Sequence, residues 1–258
     1  MDKKYTIVNA KITKKQNLTP TIFDFTVESE TLAKSAKCGQ FIHVNCGESF
    51  TLRRPISICE ILPEASSIRF IFDVRGKGTE ALSKLNVGDY IDILGTLGNG
   101  FSVSSKKALL LGGGIGTYPL LQLAKEIQPL AVSLGFRSKD FVTLEDEFKK
   151  YTDNLYISTD DGSYGLNGNA LSAVEADLKS GKYEAVYACG PLPMLKALKT
   201  LTDMFNIECQ ISLEERMGCG IGACLCCAVK VEDYTELGFK HLHVCKNGPV
   251  FNAKGVIL

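Results

Sequence analysis

Four cysteines, Cys219, Cys224, Cys226 and Cys227, fall within nine residues of the stretch RMGCGIGACLCCAV, which runs from Arg216 to Val229. Glycines separate them. Cys219 to Cys224 is C-x4-C, and Cys224 to Cys227 is C-x2-C. A further thiol, Cys245, follows after seventeen residues. C-x4-C-x2-C…C is the plant-type spacing of a [2Fe–2S] cluster. Three thiolates on one loop must reach a small cluster without their own backbone in the way. Gly218, Gly220 and Gly222 supply the conformational freedom and close approach for that wrapping. The competing reading is a structural zinc site, but zinc loops favour paired C-x2-C knuckles and only one such pair is present. Cys226 lies outside the pattern and is expected to be a bystander. Cys38, Cys46, Cys59, Cys189 and Cys209 are scattered and read as small buried residues.

The ten cysteines could instead suggest a secreted disulfide framework. The N-terminus, MDKKYTIVNAKITKK, shows no apolar leader, and the clustering suits a metal site in a reducing cytosol. Lys+Arg and Asp+Glu are both 29, so no basic excess points to nucleic acid. No stretch has the apolar length of a membrane span. At 258 residues, more than one domain is expected.

The middle of the chain alternates strands and helices. ALLLGGGIGTYPLLQLAKEI (108–127) reads as strand, glycine turn and helix. AVSLGF (131–136), LYIST (155–159) and AVYAC (185–189) are apolar runs of buried-strand length, and ALSAVEADLKS and PLPMLKALKTLTDMF are helical patterns. This is a parallel α/β signature. Gly112–Gly113–Gly114–Ile115–Gly116 stands where a phosphate-binding turn belongs, yet Thr117 takes the last glycine position of G-x-G-x-x-G. Alone, the turn is either a nucleotide cradle or a tight strand–helix connection. CGPLPM (189–194) and Asp160–Asp161–Gly162–Ser163 fall at the same strand edge, where ligands bind in such sheets. No acidic residue ends the next strand; Arg137 is nearby instead.

Residues 1–104 differ. TIFDFTVES, QFIHVNC, SIRFIFDV and DYIDILG are short alternating or β-branched runs, an antiparallel barrel or sandwich. Arg53–Arg54–Pro55–Ile56–Ser57 sets guanidiniums and a hydroxyl at a strand end, and a guanidinium fork suits pyrophosphate. Gly76–Lys77–Gly78–Thr79 precedes a helical ALSKL and could hold a phosphate. Each, taken singly, is equally an ordinary loop.

In sequence order, R-P-I-S, G-K-G-T, GGGIG-T-x-P and CGP-x-P-M resemble the ferredoxin–NADP⁺ reductase superfamily. Its barrel holds FAD and its second domain holds NAD(P). There the barrel motif is R-x-(Tyr/Phe)-S, so Ile56 stands in an aromatic position and changes one flavin contact. The segment LEERMGCGIGACLCCAVK resembles the electron-transfer subunits of class 1B dihydroorotate dehydrogenase. The resemblance covers the whole chain.

It implies an FAD-binding β-barrel domain at 1–104, an NAD-binding α/β domain at 105–212 and a [2Fe–2S] domain at 213–258. The metal ligands would be Cys219, Cys224, Cys227 and Cys245. Arg54, Pro55, Ile56, Ser57, Ile71, Phe72, Asp73, Gly78 and Thr79 would face FAD, with Ser57 near N5. Gly113, Gly114, Gly116, Cys189, Gly190 and Pro191 would frame NAD⁺. A separate FMN-containing catalytic subunit would oxidise dihydroorotate, in a cytoplasmic complex of two plus two subunits serving de novo pyrimidine (UMP) biosynthesis. Electrons would pass through the cluster and FAD to NAD⁺. The chain itself shows no residue set for oxidising an organic substrate, and His43, His241 and His243 carry no catalytic assignment. A ferredoxin- or sulfide-linked NAD(P)H oxidoreductase subunit is the alternative within the superfamily. A nucleotide-binding iron–sulfur regulatory or scaffold protein is the alternative outside it.

Overall fold

The computed structural model describes residues 5–105, 107–234 and 236–258; residues 1–4, the start of the N-terminal segment read above for a leader, lie outside the described residues. The described residues up to Gly100, together with Glu214–Ala228 and Leu242–Pro249, form one compact unit. Phe101–Leu213, Val229–His241 and Val250–Leu258 form the other.

The first unit is built on a closed antiparallel barrel. Its strands are β1 (Ile7–Asn17), β2 (Ile22–Glu28), β3 (Phe41–Val44), β4 (Arg54–Leu62), β5 (Ser67–Asp73) and β6 (Tyr90–Leu97), in the order β1-β2-β5-β4-β3-β6. Alternation decides which side chains go inside. Ile12, Phe25, Val27, Ile42, Val44, Ile58, Phe70, Phe72 and Ile93 fill the interior. Phe25 and Phe72 meet edge to face at 5.3 Å. Helix α1 (Glu30–Ser35) adds Leu32 to this core, and helix α2 (Lys77–Ser83) adds Leu82, which anchors the G-K-G-T segment.

Three neighbouring strands share a row of charges. Asp24 on β2 takes three hydrogen bonds of 2.8–3.0 Å from the Arg69 guanidinium on β5. Glu60 on β4 reaches the same guanidinium at 3.4 Å. Asp24 is 1% exposed and Arg69 10%, so each charge depends on the other for solvation lost on folding.

The second unit holds β7 (Ala108–Gly113), α3 (Pro119–Ile127), β8 (Ala131–Phe136), α4 (Glu145–Phe148), β9 (Leu155–Thr159), β10 (Leu166–Asn167), α5 (Glu175–Lys179), β11 (Ala185–Cys189), α6 (Leu192–Met204) and β12 (Glu208–Ser212). The sheet order is β10-β9-β8-β7-β11-β12, all parallel, and β15 (Val250–Asn252) adds an antiparallel edge. β7, β8 and β11 are buried at every residue, hence their unbroken apolar runs. The remaining elements are β13 (Ala228–Glu232), β14 (Phe239–His243), α7 (Val244–Asn247) and β16 (Val256–Ile257), and a small sheet runs β14-β13-β16.

Two local departures from sequence expectation have visible causes. ALSAVEADLKS is helical only over Glu175–Lys179, because the Asn169 side chain accepts from the N–H groups of Leu171 and Ser172 and sets a turn there. β12 lacks an apolar run because Gln210 interrupts it, but Gln210 is satisfied by the backbone of Ser102 through bonds of 2.6 and 2.9 Å.

Asp24→Ala removes the carboxylate that accepts three hydrogen bonds from the buried Arg69 guanidinium. Its barrel should lose about 3 kcal/mol, read as a lower urea midpoint, while Asp24→Leu combined with Arg69→Met should recover most of the loss.

Candidate functional site

The four patterned thiols all belong to the barrel's unit, and they are grouped in two pairs. One pair is Cys219 with Cys224 and the other Cys227 with Cys245, each joined by a backbone N–H donating to sulfur. Backbone N–H groups surround them. The Cys219 sulfur accepts from Ile221 at 3.4 Å and Ala223 at 3.2 Å. The Cys224 sulfur accepts from Cys219 N–H at 3.4 Å, and the Cys227 sulfur from Cys245 N–H at 3.5 Å. Burial opposes ionisation of Cys219, but the N–H groups of Ile221 and Ala223, with Cys224, bring its thiol down to about 6. Burial and the neighbouring Cys227 push Cys245 up to about 12. Cys227 and Cys245 are buried, Cys219 is half-buried, and Cys224 and Cys226 are exposed.

This donor set fits a two-iron cluster. Four thiols in two pairs can serve two irons, and amide N–H groups already directed at sulfur stabilise the negative charge such a cluster carries. Among the described residues, no three His, Cys, Asp or Glu side chains are grouped to hold a single metal ion. The loop also leaves room: a methyl on Gly218 would lie 3.2 Å from the Cys224 sulfur.

The loop is tied to the barrel at several points. Tyr5 Oη donates to the Ile221 carbonyl at 3.2 Å. Asn99 N–H donates to the Gly248 carbonyl at 2.6 Å, and its side chain to the Asn247 carbonyl at 2.8 Å, holding the turn that carries Cys245. Gly220, at φ +73°, sits on the ring of His43. His43 is fully buried, and burial with the Arg53 charge lowers its imidazole to about 4. Alternation in QFIHVNC turns His43 to the face opposite the core residues Ile42 and Val44, but its packing against Gly220 joins residues too far apart for sequence reading to assign it a role.

The barrel motifs also meet. Gly78 lies against Arg54, where a methyl would come within 2.9 Å of Nε and Nη2. The two adjacent arginines have separate duties. Arg53 pairs with Asp92 at 2.7 Å and holds that carboxyl below its usual range, and it also donates to the His43 carbonyl at 3.3 Å. Arg54 is half-buried at the start of β4 and bonds the Leu52 carbonyl. Pro55 and Ser57 are half-buried, while Ile56 turns into the barrel core. Ile71 and Phe72 are buried, and Asp73 pairs with Arg75 at 3.0 Å. The Thr79 hydroxyl accepts from Arg75 and Gly76 N–H and so closes the G-K-G-T turn.

In the other unit, β7 and β11 are adjacent parallel strands with Gly112 paired to Cys189. Sheet order reverses between them, the switch point at which ligands bind in open α/β sheets. Both glycine motifs end there in close packing. A methyl on Gly116 would fall 2.6 Å from the Cys189 carbonyl, and one on Gly113 would fall 2.6 Å from Pro191. Gly114 has φ +56° and open space beside it. Thr117 is fully buried and donates to the Gly114 carbonyl at 2.9 Å, so the residue in the last glycine position closes the turn. Cys189 is buried, leaving its backbone for contact. Arg137 is exposed, over the Phe141 ring at 5.9 Å.

Comparison with known proteins identifies the family and the fold. The iron–sulfur cluster binding domain of dihydroorotate dehydrogenase B matches residues 214–257. A dihydroorotate dehydrogenase B (NAD(+)) electron transfer subunit from Caldanaerobacter subterraneus subsp. tengcongensis is 39% identical over 97% of this chain and 98% of its own. The subunit of that name from Bacillus caldolyticus is 40% identical over 92% of this chain and 93% of its own. Among solved structures, an NADH-dependent reduced ferredoxin-NADP oxidoreductase is 30% identical with a TM-score of 0.81, covering 100% of this chain and 91% of that one. A ferredoxin NADP⁺ reductase from Neisseria gonorrhoeae, 19% identical with a TM-score of 0.63 over 77% of this chain and 91% of its own, shares the fold. With its barrel, parallel-sheet domain and iron–sulfur binding segment, this chain belongs to the family of dihydroorotate dehydrogenase B (NAD(+)) electron transfer subunits.

Proposed function

We propose that the chain takes electrons from a dihydroorotate-oxidising FMN subunit and delivers them to NAD⁺, within de novo pyrimidine biosynthesis. The observation that carries this reading is the paired set of four thiols seated on a reductase barrel, in a chain of this family. When bound, a [2Fe–2S] cluster supplies one-electron transfer and a flavin joins it to the two-electron hydride chemistry of NAD⁺. The residues have three tasks. Cys219, Cys224, Cys227 and Cys245 hold the cluster while backbone N–H groups offset its charge. Arg54, Gly78 and Thr79 hold the FAD pyrophosphate, Pro55, Ser57, Ile71 and Asp73 form the flavin's wall, and Ile56 and Phe72, whose side chains fill the barrel, offer it backbone. Gly113, Gly114, Gly116, Cys189, Gly190 and Pro191 offer backbone to the dinucleotide. Segments 1–104, 105–212 and 213–258 serve as the FAD, NAD and cluster modules.

We place the complex in the cytoplasm, as two copies of each subunit; no helix among the described residues is long and apolar enough to cross a membrane. A ferredoxin-linked NAD(P)H role is the second reading, favoured by the 30% identity to the ferredoxin-NADP oxidoreductase structure. The partner decides between them. The purified chain should oxidise NADH with artificial acceptors but leave dihydroorotate untouched. Adding the FMN subunit from the same cell should confer dihydroorotate-dependent NAD⁺ reduction in an equimolar complex. Dihydroorotate turnover by the chain alone, or failure to associate, counts against the proposal, and the second outcome favours the ferredoxin-linked role.

Ser at Cys219, Cys224, Cys227 or Cys245 should abolish or destabilise the cluster, whereas Cys226→Ser should keep iron at two per chain by metal analysis. Equal iron loss in Cys226→Ser, or zinc in place of iron in anaerobic wild-type protein, would show the ligand set to be wrong.

Arg54→Ala should weaken FAD binding by about 1.5–3 kcal/mol, the worth of a charge-assisted hydrogen bond. Flavin fluorescence released on dilution reads this directly. Retention unchanged in Arg54→Ala but lost in Arg53→Ala would move the pyrophosphate to Arg53.

A further inference from the structure

His43 is a fully buried imidazole, and neither ring nitrogen has a hydrogen-bond partner among the described residues. A neutral ring carries one N–H and one acceptor. Leaving such a group unpaired in the interior is costly, so a polar partner is expected there. Its location shows what is missing. β3 turns Ile42 and Val44 into the barrel and His43 outward. There Gly220 closes over the ring, and a methyl on Gly220 would lie 2.6 Å from Nδ1 and 3.3 Å from Cε1 and Cγ. Gly220 directly follows Cys219. The ring's backbone is fixed from two sides, by the Arg53 guanidinium on its carbonyl and by the register of His43 with Pro55 on β4. A polar ring without a partner is therefore held rigidly beneath the loop that carries the first thiol pair.

We propose that His43 is a positioning residue for the [2Fe–2S] cluster, donating its ring N–H to a cluster sulfur. This rests on the cluster reading above. Unlike the N–H groups of Ile221 and Ala223, which come from the loop itself, this donor comes from the barrel wall. It couples the cluster's charge to the strand that runs beside Arg54–Ser57. A donor to sulfur favours the reduced, more negative cluster and so raises its potential.

The test uses the purified holoprotein, with iron and FAD quantified first. His43→Phe keeps a ring and removes the N–H. The cluster's reduction equilibrium, followed by EPR-monitored titration, should shift about tenfold toward the oxidised form, which is about 59 mV for a one-electron couple. The g-values should move with it, while iron content and the flavin spectrum stay at wild-type levels. His43→Asn places an N–H near the position of Nδ1 and should recover most of the potential. An unchanged potential in iron-replete His43→Phe overturns the proposal and leaves the ring as packing. A shift in the flavin potential with the cluster unmoved overturns it too, assigning the N–H to FAD. Should His43→Phe fail to fold, wild-type protein labelled with ¹⁵N-histidine gives a second measurement. Pulsed EPR of its reduced cluster should show an imidazole nitrogen coupling that persists in His241→Gln and His243→Gln, and its absence refutes the contact. Wild-type protein without iron would instead defeat the cluster reading itself.

Discussion

Bringing two thiol pairs together is the constraint on which the rest of the barrel's unit depends. Cys219, Cys224 and Cys227 lie on one loop, Cys245 on a separate turn, and the segment that carries them is too short to bury a core of its own. The barrel does the positioning. Asn99 fixes the turn after Cys245, Tyr5 fixes Ile221, and Gly220 packs directly on His43. Each contact comes from a different part of residues 5–100. The loop conformation is therefore a property of the folded barrel, and thiol spacing is only its precondition. The chain's route agrees: Glu214–Ala228 and Leu242–Pro249 belong with the barrel, whereas Val229–His241 and Val250–Leu258 do not.

The second unit meets a different need, to bring backbone close to a ligand without side chains in the way. Parallel pairing of β7 with β11 aligns two glycine-bearing strand ends. Their packing is so tight that a single methyl at Gly113 or Gly116 would collide with the facing strand end. Glycine there is required by the protein's own packing before any ligand is considered. Gly114 is different, since its side faces open space and its φ is positive. Of the glycines in this turn, it is the one whose requirement comes from backbone conformation alone.

Much of this was legible in the sequence, and the reasons differ by element. Strands AVSLGF and AVYAC could be read to the residue because burial on both faces leaves near-continuous apolar runs, while LYIST was legible by its length and β-branched content although its first two residues are only half-buried. Barrel strands β2, β3, β5 and β6 were legible as short alternating or β-branched runs, whereas β1, largely exposed, was not read. The strand at Glu208–Ser212 was not, because Gln210 breaks the run and its partner, Ser102, is distant in sequence. The helix at Glu175–Lys179 came out shorter than its periodicity suggested because a side-chain turn at Asn169 competes with helix hydrogen bonding. At the site, thiol spacing was informative since it reflects local loop geometry. The role of the His43 position was hidden, because what distinguishes it is burial against a loop more than 170 residues away.

The paired arginines show how neighbouring identical residues come to do different work. Both stand at the start of β4; the R-P-I-S resemblance singles out Arg54, but the residues themselves do not say what Arg53 does. Asp92 separates them by engaging Arg53 at 2.7 Å, and the same guanidinium spans the carbonyls of His43 and Asp92. Those three bonds use Arg53 to join the start of β4 to β3 and β6, and its charge is offset where it stands. Among the described residues, Arg54 meets nearby backbone carbonyls and the Phe50 ring and pairs with no carboxylate, and Gly78 gives its guanidinium free approach. An unneutralised guanidinium beside a glycine turn is what a pyrophosphate needs. The division also reaches the thiols, because the carbonyl that Arg53 holds belongs to His43, the residue on which Gly220 rests.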